Sequence, residues 1–236
     1  MKPFFCQYVM KKIVVFTGAG ISVESGLPTF RGTDGLWEGH NIMDVATPEA
    51  WKRDPELVQS FYNKRRLDCL SAQPNRAHIK LADLEKDYDI QIITQNIDDL
   101  HERAGSTKVL HLHGQIMKSQ SSLNPNFIYD IDGETINMGD KCEMGSQLRP
   151  HVVWFGEPVP NMEVASEFAR NADVFITIGT SLQVYPAANL IYETKVGCKV
   201  ILIDPDAENY QVPPLVIKIS ETASVGVDYL ADILTK

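Results

Sequence analysis

Two hundred and thirty-six residues suit one large domain, or one domain carrying a smaller inserted module, at roughly 150 residues per domain. With 44% hydrophobic and 22% charged residues, the composition excludes a disordered chain and allows a sizeable core. Lys and Arg number 22 against 31 Asp and Glu, and the net charge of −9 speaks against a nucleic-acid surface that binds by counterion release, while leaving cationic, lysine-bearing substrates open.

Residues 1–12 carry Lys2, Lys11 and Lys12 among a few apolar residues and run at once into strand-like sequence, so no cleavable targeting segment is expected. Residues 13–16 (Ile-Val-Val-Phe) open a series of continuous apolar runs, followed by 90–94, 109–112, 174–178 and 200–203. Unbroken rather than alternating hydrophobicity predicts strands buried on both faces, hence a parallel sheet covered by helices. The first run ends in Thr17-Gly18-Ala19-Gly20-Ile21-Ser22, a glycine turn opening a helix whose N-terminus suits a pyrophosphate. Val23 stands where a G-x-G-x-x-G motif has its third glycine, which leaves a ligand-free strand-to-helix corner as the lesser alternative.

Residues 33–72 read as loop plus helices. Within them Tyr62 and Arg65 lie three apart and share one helix face, which is either a solvated charged face or a phenol and guanidinium able to grip a carboxylate. Pro74 and Asn75 start a helix whose apolar stripe is Ala77, Leu81, Leu84 and Tyr88. After the strand 90–94, Gln95-Asn96-Ile97-Asp98 stands at a carboxyl edge, where open α/β sheets hold ligands, or simply caps a short helix. The strand 109–112 is followed by His113 and Gly114. An imidazole there suits a general base, although His111 is so near that proximity does not choose between them.

Residues 115–150, rich in Ser, Asn, Asp and Gly, join 33–72 as a candidate small module. Val152, Val153, Trp154 and Phe155 predict a strand, by residue type an ordinary buried one. Helices are expected over 163–172, 186–196 and 224–234. Gly179-Thr180-Ser181 forms a second glycine turn at a strand end, and Asp204 follows the last strand, placed for a ribose or for a plain turn with Pro205. Strand, helix, strand in this order predicts an α/β, Rossmann-like doubly wound sheet.

The apolar runs are far shorter than the roughly 20 residues that cross a bilayer, so no membrane span is expected. Cys6, Cys69, Cys142 and Cys198 form no CxxC pair, which favours neither disulfides nor a metal knuckle and suits a reducing cytoplasm.

Six ordered segments give a resemblance covering nearly the whole chain. They are residues 18–32 (Gly-Ala-Gly-Ile-Ser-Val-Glu-Ser-Gly-Leu-Pro-Thr-Phe-Arg-Gly), 94–101 (Thr-Gln-Asn-Ile-Asp-Asp-Leu-His), 111–114 (His-Leu-His-Gly), 152–157 (Val-Val-Trp-Phe-Gly-Glu), 178–181 (Ile-Gly-Thr-Ser) and 185–188 (Tyr-Pro-Ala-Ala). The sequence resembles the sirtuin family of NAD-dependent protein lysine deacylases. The resemblance implies a Rossmann-like NAD domain with an inserted module and NAD as a consumed co-substrate. It places Gly18, Ala19, Gly20, Ile21, Ser22, Phe30, Arg31, Gln95, Asn96, Ile97, Asp98, Gly179, Thr180, Ser181, Asp204 and Ala223 at the cofactor, with Arg31 on a phosphate, Phe30 shielding the reacting ribose and Asp98 on the carboxamide. Many sirtuins carry Asn where Asp204 stands. It chooses His113 as catalytic base beside Asn96, and Val152 to Phe155 as the substrate-pairing strand. Tyr62 and Arg65 resemble the Tyr-x-x-Arg pair of the subgroup that removes succinyl, malonyl and glutaryl groups.

The sequence departs from the family at the small module, where most sirtuins hold zinc on four cysteines. Ser119, Ser121 and Ser122 occupy the first region and Cys142 alone the second. One thiolate does not make a structural zinc site, so no zinc is expected, and packing of Phe127, Ile128, Tyr129, Ile131 and Ile136 is expected to hold the module instead. Expected partners are acylated lysines on proteins, for a monomer with no membrane or nucleic-acid partner. A deacetylase without acidic preference, a mono-ADP-ribosyltransferase or NAD hydrolase, and a non-catalytic NAD-binding module are the rival readings.

Overall fold

The computed structural model describes residues 10–29, 37 and 39–235. Phe30 and Arg31 therefore lie outside the described residues, as does Cys6. In chain order the strands are β1 (Lys12–Thr17), β2 (Asp89–Thr94), β3 (Val109–His111), β4 (Gly114–Ser121), β5 (Ile128–Asp130), β6 (Leu148–Val152), β7 (Val174–Ile178), β8 (Lys199–Ile203) and β9 (Ile217–Ile219). The α-helices are α1 (Ile42–Val45), α2 (Pro48–Arg53), α3 (Pro55–Ser71), α4 (Arg76–Leu84), α5 (Leu100–Arg103), α6 (Met162–Asn171), α7 (Ala223–Gly226) and α8 (Leu230–Leu234).

Six strands form a parallel sheet in the order β3-β2-β1-β7-β8-β9. Along β1, Ile13 and Val15 enter one apolar cluster while Val14 and Phe16 enter another. Period-two geometry thus sends a continuous apolar run into two cores, one on each face of the sheet. β9 was not foreseen, because Ile217-Lys218-Ile219 is short and only partly buried at the sheet edge.

Two expected helices differ. The segment around 186–196 is a single 3-10 helix over Ala187–Tyr192, and 224–234 is divided into α7, a 3-10 turn and α8. No side-chain cap bonds the start of any of these pieces, so nothing local favours one long α-helix.

A second, antiparallel sheet, β5-β4-β6, stands apart. Helix α3 begins with Pro55 after Asp54, whose side chain accepts from Leu57 N at 3.0 Å, a cap that fixes where the helix enters. It packs in a third apolar cluster with Ile116 of β4 and Val152 of β6. Asn63 exchanges two hydrogen bonds with the Ile136 backbone, donating from Nδ2 to O at 2.8 Å and accepting from N at 3.0 Å. Arg66 donates from Nε to Ile116 O at 2.7 Å.

Those polar ties correct the expected packing of the small module. Ile136 is buried, but Ile128 is 44% exposed, and Phe127, Tyr129 and Ile131 are only half-buried. The residues expected to be a core are short of partners because β5 covers only one edge of β4. At the place of the family's metal, Ser121 Oγ lies 2.7 Å from Ser146 Oγ, and Cys142 Sγ 3.0 Å from the same hydroxyl. Cys142 N also donates to Ser146 O at 2.9 Å. One thiol and two hydroxyls already bonded to one another do not fit a zinc site of four sulfur or nitrogen ligands. Among the described residues no group of three or more His, Cys, Asp and Glu is placed to hold a metal ion.

Candidate active site

The carboxyl ends of β1, β2 and β7 lie side by side, and the turns leaving them press together. Gly20 N donates to Gly179 O at 2.8 Å, and a Cβ on Gly20 would stand 2.6 Å from Gly179 Cα. Gly179 itself has φ +62°, so glycine is required at both places by close approach and by backbone angle. The segment after Gly18 is a seven-residue 3-10 helix, Ala19–Ser25, in place of the expected α-helix. Its Gly20 and Ile21 N–H groups are already bonded, the latter to Gly18 O at 3.1 Å, so fewer donors face outward than a free helix N-terminus offers.

Gln95, Asn96, Ile97 and Asp98 leave β2 against this turn. Gln95 Nε2 donates to Thr180 Oγ1 at 3.0 Å, bridging the two strand ends. Asn96 Nδ2 donates to Ser22 Oγ at 3.1 Å, and Ser22 donates in turn to Asp98 Oδ2 at 3.1 Å. Asp98 also accepts from Leu100 N, the first residue of α5, at 3.2 Å, while Asp99 at the cap position makes no side-chain cap bond. Burial pushes the Asp98 carboxyl above its ordinary range, against the lowering pull of those hydrogen bonds.

The two histidines separate by their hydrogen bonds. His111 uses both ring nitrogens, Nδ1 at 3.0 Å from Asn96 O and Nε2 at 2.8 Å from Glu102 Oε1. Burial alone would lower its pKa, but the Glu102 carboxylate outweighs it and the pKa is raised. His113 places Nδ1 3.0 Å from Gln95 O. A carbonyl only accepts, so Nδ1 carries the proton and Nε2 is left as a bare acceptor. Burial pushes this imidazole below its ordinary value, which keeps it neutral and basic near pH 7. Gly114, at φ +84°, lets the chain cross β6, where a Cβ would meet His151 O at 2.2 Å. Its conformation serves this crossing.

Asp204 and Ala223 lie at the far end of the sheet, both nearly buried. Asp204 Oδ1 accepts from Asp206 N at 3.0 Å and from Tyr210 Oη at 2.8 Å, so a turn role is present. Ser181 is exposed and Thr180 buried.

The strand expected over 152–155 stops at Val152. Beyond it Val153 N donates to His113 O at 2.9 Å, Trp154 N to Glu157 Oε2 at 2.9 Å and Phe155 N to Ala46 O at 3.0 Å. These three N–H groups are used internally, so the segment can offer a substrate backbone its carbonyls rather than these N–H groups. Arg149, missed in the sequence, braces it, with Cζ 3.9 Å from the Trp154 ring and Nη2 2.7 Å from Glu157 Oε1.

Tyr62 and Arg65 are 2% and 6% exposed, which overturns the solvated-face alternative for this pair, while Lys64 beside them is exposed. Tyr62 shares an apolar cluster with Trp154, and Ile97 packs against that cluster. Arg65 Cζ lies 5.3 Å from the Trp37 ring. Trp37 stands in a stretch of sequence without periodicity, and no sequence signal marks it. Burial raises the Tyr62 phenol pKa far above its ordinary value, so it stays a neutral hydrogen-bond donor.

The model of the Sir2 family matches residues 18–186. A Helicobacter pylori NAD-dependent protein deacylase is 49% identical over 227 residues, covering 96% of this chain and 97% of that protein. A Bacteroides thetaiotaomicron protein of the same name is 47% identical over 230 residues, covering 95% and 98%. Among solved structures, a Sir2 homologue in complex with NAD is 40% identical with TM-score 0.83, covering 96% of this chain and 90% of that one. A mutant Sir2 homologue bound to ADP-ribose is 39% identical with TM-score 0.85, covering 96% and 94%.

Proposed function

This chain belongs to the Sir2 family and is an NAD-dependent protein deacylase, and on that premise we propose that it prefers lysines carrying short acidic acyl groups, succinyl and malonyl, over acetyl-lysine. The observation that carries the preference is the burial of Tyr62 and Arg65 on one face of α3, Tyr62 within an apolar cluster and Arg65 against the Trp37 ring of that cluster. A guanidinium in such surroundings favours a carboxylate strongly, because water does not compete for either ion.

NAD supplies an electrophilic ribose carbon and a leaving nicotinamide, so the acyl group ends on ADP-ribose and lysine is released. The turns at Gly18 to Ser22 and Gly179 to Ser181, together with Gln95, form the bed for the cofactor. Asn96 and Asp98 are held by Ser22 and present fixed amide and carboxyl groups to the nicotinamide end. We assign His113 Nε2 as the atom that takes a proton from a ribose hydroxyl, because Nδ1 is engaged by Gln95 O. Asp204 and Ala223 serve the adenosine side in this reading. The Val152 to Phe155 segment receives the acylated lysine, in line with its bracing by Arg149 and Glu157.

The separated cysteines support a reducing compartment, and no helix among the described residues is long and apolar enough to cross a membrane. The test is turnover of peptides that differ only in acetyl, malonyl or succinyl at one lysine, each with NAD. Higher kcat/KM for succinyl and malonyl supports the reading, and acetyl turnover equal to or above them removes the acidic preference.

A further inference from the structure

Behind the cofactor-facing residues lies a second polar layer that the reaction does not touch. Thr17 ends β1 and Thr94 ends β2, and Thr17 Oγ1 donates to Thr94 Oγ1 at 2.9 Å. Thr94 Oγ1 also accepts the backbone N–H of Asn96 at 3.0 Å. On the other side, Thr17 Oγ1 stands 3.0 Å from His101 Nε2. All three side chains other than Asn96 are at most 1% exposed.

The protons can be assigned. Since the Thr17 hydroxyl gives its proton to Thr94, His101 Nε2 must carry one and donate to Thr17, which leaves His101 Nδ1 bare. His78, on α4 and fully buried, accepts the Asn75 N–H on Nδ1 at 3.4 Å. Its proton is therefore on Nε2. Among the described residues His78 Nε2 and His101 Nδ1 are both buried without a hydrogen-bond partner. One is a donor and the other an acceptor. They sit on rings in edge contact, with centroids 4.9 Å apart at 65°.

We propose that His78 and His101 are positioning residues for Asn96, closing one hydrogen-bonded chain from the start of α4 through Thr17 and Thr94 to the Asn96 peptide. Apolar rings would fill the same space without burying polar nitrogens, so filling is not what these imidazoles add. A fully paired buried network fixes one geometry instead. With His111 Nδ1 on the Asn96 carbonyl from the opposite side, the Asn96 peptide is then held at both ends, and its side chain is presented at one orientation. Burial keeps both rings neutral, His78 being pushed down to about 4 and His101 well below its ordinary value, as a chain of this polarity requires.

The kinetic part rests on the deacylase reading, whereas the first measurement does not. Ring nitrogen–proton correlation spectra of the 15N-labelled full chain at pH 7 should show both histidines as neutral Nε2–H tautomers, with coupling across a hydrogen bond from His78 Nε2–H to His101 Nδ1. An Nδ1–H tautomer or an imidazolium at either residue overturns the proposal. In turnover assays His78→Phe and His101→Phe should each lower kcat about tenfold with KM for NAD within twofold, and the double variant should be no worse than either single. His78→Gln, which keeps a donor where Nε2 stands, should recover most of the loss. Wild-type kcat per folded molecule in His78→Phe, or additive losses in the double variant, would assign the rings to core filling only.

Discussion

Replacing Arg65 by Met separates the proposed acidic-acyl pocket from the general chemistry. The side chain is 6% exposed, and its guanidinium carbon lies 5.3 Å from the Trp37 ring. Met retains much of the apolar contact with Trp37 while removing the charge. A substrate carboxylate entering this region would exchange water for one desolvated guanidinium. Removing one partner from a buried, hydrogen-bonded charge pair costs about 2–5 kcal/mol. At about 1.4 kcal/mol per tenfold, kcat/KM for a succinyl-lysine peptide should fall by roughly 30-fold to several thousandfold, with acetyl-lysine turnover changed by less than about threefold. Arg65→Lys should fall between the two, because an ammonium keeps the charge but loses the bidentate fork. The assay is steady-state release of the free peptide, followed by mass, on both substrates with each variant. Equal losses on the two substrates would make Arg65 a structural residue, and unchanged desuccinylation would refute the pocket.

Other consequences are independent of acyl choice. As the proposed base, His113 must be neutral to accept a proton, and burial lowers its pKa, so the acid limb of kcat/KM for NAD should have its midpoint below 6.5; a midpoint above that value would contradict a buried neutral base. His78 is pushed down to about 4, so the unfolded chain binds the extra proton first as pH falls. Its contribution to stability is therefore fully present above pH 6.5 and is lost as pH falls from there toward 4, by roughly 3 kcal/mol. Urea unfolding from pH 7 to pH 4.5 should show that slope, and His78→Phe should flatten it. Ser146→Ala should destabilise the small module by about 1–3 kcal/mol by stranding the Ser121 and Cys142 partners, while a strong chelator should leave both Tm and turnover unchanged. A chelator-sensitive Tm would mean that metal holds the module after all.

The central sheet was legible because each of its long strands is a continuous apolar run, and burial on both faces leaves little ambiguity about its environment. β9 escaped because three residues with a central Lys218 carry no such pattern. The placement of Gln95 to Asp98 and His113 next to strand ends was legible because each follows a continuous apolar run, and strand ends form the ligand edge of such sheets. The choice between His111 and His113 was not, for it depends on which carbonyl and which carboxylate each ring meets in space. Trp37 beside Arg65, Arg149 beside Trp154 and His101 beside Thr17 join segments far apart in sequence, and no local pattern announces such meetings. The small module was misjudged for a related reason. Its apolar residues suggested a core, whereas the module is tied to α3 by Asn63 and Arg66, which sit on the same helix as Tyr62 and look in sequence like ordinary polar positions.

Product stoichiometry tests the account most directly. With a succinyl-lysine peptide and NAD, mass analysis should find nicotinamide, unmodified peptide and O-succinyl-ADP-ribose formed one to one to one, with no NAD consumed when the peptide is omitted. His113→Ala should abolish all three products while NAD still binds. Loss of NAD without peptide, or ADP-ribose label retained on protein, would contradict the deacylase mechanism and favour an NAD hydrolase or ADP-ribosyltransferase.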